Sequence, residues 1–240
     1  KPPPVAPDAT RSVVSPPSPA MSPSPDDALR AALCAAARTL YDRGLIGPLD
    51  GNLSARTARG TLLCTPSACH KGRLAPADLV EVSRDGAVVT GPGRPSSELA
   101  LHLGLYRRAD VGAVVHAHPP YAVGLTVAGR GLDPPVVSEL VFAAGRVPTV
   151  PYADPTTRDL ADRVAEALGP TGRACLLARH GSVAVGRSVD EALTLTESLE
   201  HTAKITVAAW SAGPVTPLDD DTLARLHRLA AAMAGNGQPY

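Results

Sequence analysis

The stretch G-A-V-V-H-A-H-P-P, residues 112–120, limits what this chain can fold into more than any other. Small and β-branched apolar residues run up to the two histidines, which is the pattern of a buried strand. Pro119 and Pro120 cannot extend a hydrogen-bond ladder, so the strand ends right after His118. Pro119 then suits the first position of a helix running to about Ala128. Residues two apart on a strand share a face, so His116 and His118 project together at its end. Such a pair suits one divalent ion, or it is two ordinary histidines at a strand terminus. The spacing alone leaves both open, because a catalytic metal usually takes a third protein ligand.

Helical and strand patterns mix around this segment without strict alternation. Leu29, Leu33, Ala36 and Leu40 recur at helical spacing within residues 26–47, with Asp26 or Asp27 able to cap and Gly44 to stop. T-L-L-C-T (61–65) reads as a strand, and residues 79–89 read as a hairpin turning at Asp85-Gly86. A helix is predicted over 96–108, with short strands in P-V-V-S-E-L (135–140) and V-P-T-V-P-Y (147–152). An amphipathic helix over 156–169 uses Leu160, Val164 and Leu168, and a strand pair over 174–186 turns at His180-Gly181. A long helix over 188–210 opens with Ser188 and Glu191 as a capping box. The predicted class is α/β with a mixed sheet, not a clean doubly wound parallel one.

Composition removes several functions. Basic and acidic residues both number 23, so no net charge draws the chain to nucleic acid or acidic membranes. Aromatics make up 3%, too few for base-stacking platforms. No apolar run approaches the roughly 20 residues that span a bilayer. Cys34, Cys64, Cys69 and Cys175 form no C-x-x-C pair, and no segment has the layout of a signal peptide. A cytoplasmic protein with reduced thiols is expected. Residues 1–25 are rich in Pro and Ser and are expected to be a disordered tail, with Met21 a natural start. Residues 26–240 are expected to form one domain.

Further residues stand at chemically suggestive places. His180 ends an apolar strand before a glycine, which makes it the candidate third ligand. Glu98 sits in the first turn of a predicted helix, after Ser96 and Ser97. Free N–H groups at a helix start and paired hydroxyls suit a phosphate, although one serine can simply cap the helix. Gly51-Asn52 reads as a tight turn after Asp50, and T-P-S (65–67) as a hydroxyl-bearing loop. His102 follows Glu98 by one helical turn on the same face and reads as a satisfied core histidine, with support of the site the alternative. Lys71 and Arg73 read as solvated loop charges, with anion binding the alternative. His70, His201 and His227 lack partners at ligand spacing.

In order, the chain reads G-N-L-S, T-P-S, P-S-S-E, H-x-H and R-H-G. Over about residues 26–210 this series resembles the class II aldolase/adducin family, whose archetype cleaves L-fuculose 1-phosphate. The resemblance implies a three-layer α/β/α fold with a central mixed, largely antiparallel sheet. It implies a catalytic zinc, or another divalent metal, on His116, His118 and His180, with Glu98 both a ligand and the acid/base. It places the substrate phosphate on Gly51, Asn52, Ser67, Ala68, Ser96 and Ser97. It also implies a homotetramer with active sites at subunit interfaces. Two departures stand out. Ala68 replaces the archetype's glycine, and Glu139 falls where the archetype has a proton-donating tyrosine. Glu139 is either a second acid/base or part of a structural salt bridge. Tyr240 is too loosely placed to align with a second tyrosine of the archetype.

The reading is therefore an aldehyde-lyase acting on a (deoxy)ketose 1-phosphate. L-Ribulose-5-phosphate 4-epimerase shares the fold and the logic, but such epimerases carry Asp where this chain has Glu98. An iron-dependent oxygenase or a decarboxylase on the same fold is a further alternative. An adducin-like scaffold is the non-enzymatic one, though adducin-type domains have lost the metal ligands that this chain keeps.

Overall fold

A computed structural model describes residues 25–235. The predicted tail up to residue 24, and Tyr240, lie outside the described residues. The strand expected in G-A-V-V-H-A-H is β5, Ala113–Ala117, whose residues are all buried. In chain order the others are β1 Asn52–Arg56, β2 Leu62–Cys64, β3 Val80–Val82, β4 Val88–Thr90, β6 Thr149–Val150, β7 Ala174–Leu177 and β8 Gly181–Gly186. They form one sheet in the order β4-β3-β2-β1-β5-β8-β7-β6. Only β6 and β7 run parallel; every other neighbouring pair is antiparallel.

Period-two alternation assigns the two faces of this sheet. The helices are α1 Pro25–Asp42, α2 Leu99–Leu105, α3 Pro120–Val127, α4 Ser138–Ala144, α5 Arg158–Leu168, α6 Val189–Ala212 and α7 Asp220–Gly235. Val114, Cys175, Leu177 and Val183 pack with Leu101 and Leu105 of α2 and with Leu160 and Val164 of α5. On the other face Ala113, Val115 and Ala117 meet Leu33, Ala37 and Leu40 of α1. Also on that face, Ala174, Leu176 and Ala184 meet Ala122, Leu125, Leu140, Leu195 and Leu199 of α3, α4 and α6. Two helical layers thus enclose the mixed sheet, as the resemblance implied. The amphipathic prediction for α5 holds, with Thr157 accepting from Leu160 N at its start and Gly169 at its end.

Several local expectations are corrected. P-V-V-S-E-L is not a strand: Pro134 and Pro135 precede a short helix whose buried residues, Leu140, Val141 and Ala144, fall at helical spacing. The helix predicted from residue 96 begins at Leu99, leaving Glu98 at its N-cap position. Ser96 is the reason. Its hydroxyl accepts from Glu98 N at 3.2 Å and its carbonyl from Leu99 N at 3.1 Å, an alternative to helix. Asn52 is not in a turn but opens β1, because Gly51, at φ +66°, completes the reversal alone. Pro119 is the N-cap of α3, and Pro120 takes the first helical position. The capping box of α6 is half formed: Ser188 Oγ accepts from Glu191 N, while the Glu191 carboxylate accepts from Arg187 N. α7 lay beyond the predicted elements.

Register then gathers one end of the sheet. Asn52 lies opposite His116, and His116 lies opposite Val183 of β8. The start of β1, the end of β5, the β7–β8 turn and the residues before α2 therefore converge.

Candidate functional site

His116 alternates with Val115 and Ala117 and so faces α2, where it is fully buried. His118 lies one residue past β5 and still turns to the same point. Its Nε2 is 3.0 Å from His116 Nε2. His180 comes from the β7–β8 turn, its ring centroid 4.8 Å from that of His116 and 5.1 Å from that of His118. One ligand atom from each of the three histidines lies within 4.8 Å of the others. Glu98 joins them, with Oε2 3.0 Å from His116 Nε2 and Oε1 3.6 Å from His180 Nε2.

The outer hydrogen bonds decide which way the lone pairs face. His116 Nδ1 donates to the Ser182 carbonyl at 2.9 Å. His118 Nδ1 donates to Asp50 Oδ2 at 3.1 Å. A neutral imidazole carries one N–H, so both Nε2 atoms turn lone pairs inward, toward each other and toward a carboxylate. Only a cation between them, a shared proton or a metal ion, makes that approach favourable. Glu98 Oε1 is buried without a hydrogen-bond partner, which fits a ligand atom awaiting an ion. Burial pushes the His118 imidazole down to about 4 and also lowers His180, with His116 adding to both. Both rings are therefore neutral at pH 7, the form that binds metal. Burial disfavours the Glu98 carboxylate, but His116, the Asn52 amide and His180 outweigh it and hold Glu98 well below the usual carboxylate range.

Packing at this point is tight. A Cβ on Gly181 would meet the Ala117 carbonyl at 2.4 Å, His118 Cδ2 at 2.9 Å and His116 Cε1 at 3.0 Å. Among the described residues, three other than glycine take positive φ: Ala68 at +52°, Thr156 at +68° and Arg179 at +60°. Ala68 and Thr156 line the cleft, and Arg179 immediately precedes His180. Backbone strain is thus concentrated around one site, as at functional centres generally. Ala68 adopts the left-handed conformation that a glycine would take freely, so the substitution keeps the turn at a steric cost.

A cleft of about 340 Å³ opens beside the histidines. Gly51, Asn52, Ser67, Ala68, Ser96 and Ser97 all line it, together with Glu98, His118 and His180. Glu139 is not there. It is exposed, accepts from Ser138 Oγ at 3.0 Å, and lines a separate cleft of about 640 Å³ with Arg43, Glu197 and His201. Among the described residues it forms no ion pair within 4.0 Å.

His102 meets both expectations for it: it is a buried, satisfied histidine, and it supports the site. It also belongs to a chain of polar groups leading to Glu98. Tyr106 OH lies 2.9 Å from Ser54 Oγ, and Ser54 Oγ 2.6 Å from His102 Nδ1. His102 Nε2 lies 2.5 Å from Asn52 Oδ1, and Asn52 Nδ2 donates to Glu98 Oε2 at 3.0 Å. Ser54, Tyr106, Asp50 and Thr126 were not singled out beforehand. A signal existed: Asn52 and Ser54 share one strand face, while Glu98, His102 and Tyr106 share one stripe at four-residue spacing.

Comparison with known proteins identifies the family. Residues 31–207 match the family model described as class II aldolase and adducin N-terminal domain. A Bacillus thuringiensis serovar kurstaki protein named 5-deoxy-D-ribulose 1-phosphate aldolase is 35% identical over 212 residues, 87% of this chain and 97% of that protein. An Escherichia coli protein named 3-oxo-tetronate 4-phosphate decarboxylase is 37% identical over 186 residues, 75% of this chain and 86% of its own length. A solved structure titled L-fuculose 1-phosphate aldolase superposes with a TM-score of 0.78 at 30% identity, covering 84% of this chain and 95% of that one.

Proposed function

We propose that this chain, which belongs to the class II aldolase and adducin family, is a metal-dependent aldehyde-lyase. Its substrate is a (deoxy)ketose 1-phosphate, such as 5-deoxyribulose 1-phosphate or L-fuculose 1-phosphate, which it splits into dihydroxyacetone phosphate and an aldehyde. The observation that carries this reading is the convergence of His116, His118 and His180 beside Glu98, whose buried Oε1 has no hydrogen-bond partner. A set of three neutral nitrogens with one carboxylate suits zinc. Bound there, a divalent ion would supply Lewis-acid stabilisation of the oxyanion that carbon–carbon cleavage develops.

The chain's own groups do the rest. Glu98 Oε1, the carboxylate oxygen with no hydrogen-bond partner, moves the proton on the carbon next to the substrate carbonyl. Asn52 Nδ2 donates to the other oxygen, Oε2, and holds it in place. Gly51, Asn52, Ser67, Ala68, Ser96 and Ser97 hold the phosphate and so fix the orientation of the reacting bond. In this reading residues 26–240 form one catalytic domain, working in the cytoplasm as a homotetramer. Glu139 lies outside the cleft of its own chain, so a proton-donor role for it belongs to a site completed by a second copy.

The relative named as a 3-oxo-tetronate 4-phosphate decarboxylase favours one second reading, decarboxylation of a phosphorylated 3-oxo acid. That chemistry also breaks a carbon–carbon bond and leaves the electron pair beside a carbonyl. Elemental analysis of natively purified protein, with assays of dihydroxyacetone phosphate and carbon dioxide release on both substrate types, separates them. About one zinc per chain and dihydroxyacetone phosphate release, both lost in His118→Ala, is the expected result. Carbon dioxide release alone establishes the decarboxylase, and bound iron redirects the reading to oxidative chemistry.

A further inference from the structure

Among the described residues, Lys71 is the bulkiest of the fully buried side chains, with 2% of its surface exposed. It opens the short 3-10 turn Lys71–Arg73, and its backbone N–H is fixed on the Pro48 carbonyl at 2.9 Å. An ammonium carries three N–H donors. Here it donates to one protein acceptor, the Cys69 carbonyl at 3.2 Å. Among the described residues no carboxylate lies within 4.0 Å of it.

Among the described residues, the buried carboxylates outside the histidine cluster are answered. Glu81 faces Arg30 and Arg59, and Glu200 receives the Tyr121 and Ala122 amides and lies near Lys204. Buried charges without partners are costly enough that folded proteins rarely keep them. Arg73, two residues on, is exposed as a loop charge should be. Lys71 instead lines the cleft beside Ser67, Ala68, Ser96 and Ser97.

We propose that Lys71 is the charged anchor of the phosphate subsite, and that its missing counter-ion is the phosphate monoester dianion of the substrate. The inference rests on the phosphate half of the proposed function, not on which carbon–carbon bond is broken. The serine hydroxyls supply directional donors, and Lys71 supplies the full positive charge that the rest of the subsite lacks. A phosphate dianion, with three terminal oxygens, uses all of these at once. The same charge selects a phosphorylated substrate over its free-hydroxyl counterpart, because only the former pairs the ammonium.

Thermal unfolding of the purified protein, titrated with inorganic phosphate against chloride of matched ionic strength, tests this in wild type and Lys71→Met. Wild type is expected to be stabilised progressively by phosphate. Without phosphate, Lys71→Met is expected to melt roughly 2–4 °C higher, because an unpaired buried charge gives way to an apolar chain of similar length. Its phosphate affinity is expected to fall roughly 10- to 100-fold. No phosphate effect on wild type overturns the proposal. So does equal stabilisation of both proteins, which places phosphate elsewhere, such as on a metal ion. A less stable Lys71→Met, or loss of folding in both it and Lys71→Gln, makes Lys71 a structural residue and also overturns it. None of these readouts uses turnover. A protein that passes the titration but cleaves no ketose phosphate therefore overturns the aldolase reading alone.

Discussion

Asn52 joins the acid/base candidate to the core: its Nδ2 donates to Glu98 Oε2 at 3.0 Å while its Oδ1 lies 2.5 Å from His102 Nε2. The direction of every bond in this chain follows from one fact, that a carboxylate only accepts. Asn52 must therefore turn its NH2 toward Glu98 and its carbonyl toward His102. His102 must carry its proton on Nε2, which leaves Nδ1 to accept from Ser54. Ser54 in turn accepts from Tyr106.

His102 therefore sets the orientation of the Asn52 amide without touching the reacting atoms. His102→Leu is expected to free that amide, leave buried groups unpaired at about 1–3 kcal/mol, and lower kcat roughly 10- to 100-fold. KM and metal content should change little. His102→Gln still presents an N–H to Asn52 and should recover most of the rate. Steady-state kinetics with elemental analysis on both variants decides it. Equal loss in the two would reduce His102 to a packing residue.

His102 also leaves a mark on acid stability. Burial, with His116 adding to it, pushes its imidazole down from 6.5 to about 3. Between those values the unfolded chain binds a proton that the folded chain refuses. Stability from this group is complete above about pH 6.5 and is lost as pH falls, at up to about 1.4 kcal/mol per pH unit. Urea unfolding at pH 7 and pH 5 should show a slope shallower by about one proton in His102→Gln than in wild type. Parallel slopes would contradict a neutral buried His102.

Gly181 tests the tightness of the histidine cluster. Its missing Cβ would stand 2.4 Å from the Ala117 carbonyl, with both H-x-H rings within 3.0 Å. Gly181→Ala must push β5 and β8 apart at their ends, at a cost of about 1–3 kcal/mol. The expected result is a folded protein, by circular dichroism, that purifies with well under half of the wild-type metal. Full metal occupancy in the variant would show that the cluster can relax around a methyl group.

Much of this site was legible in the sequence, and the misses share a cause. H-x-H before two prolines gave a strand end with paired imidazoles, because period two and proline's missing N–H are local rules. R-H-G and P-S-S-E supplied partners because each stands at an element boundary. Asn52 was misread as part of a turn, since Gly51 alone makes the reversal at φ +66° and the strand begins one residue early. P-V-V-S-E-L was misread as a strand because its β-branched residues outweighed Pro134 and Pro135 at its start. Lys71 looked like a loop charge, since burial of a loop residue depends on what folds over it. The polar chain from Tyr106 to Glu98 spans two elements whose approach only the sheet register fixes.

Thr126 shows how far such support reaches. It lies on α3, eight residues past His118, and is buried. Its hydroxyl accepts from Arg179 N at 2.8 Å and donates to the Val123 carbonyl. Arg179 holds φ at +60°, and that reversal is what turns His180 toward His116. The helix that follows the H-x-H strand thus braces the turn bearing the third histidine. Thr126→Val keeps the shape but removes the acceptor, stranding the Arg179 N–H at about 1–3 kcal/mol. Zinc affinity, measured by competition with a chromogenic chelator, should fall roughly 10-fold or more, and Thr126→Ser should restore it. Unchanged affinity in Thr126→Val would mean that the His180 turn holds its geometry without help from α3.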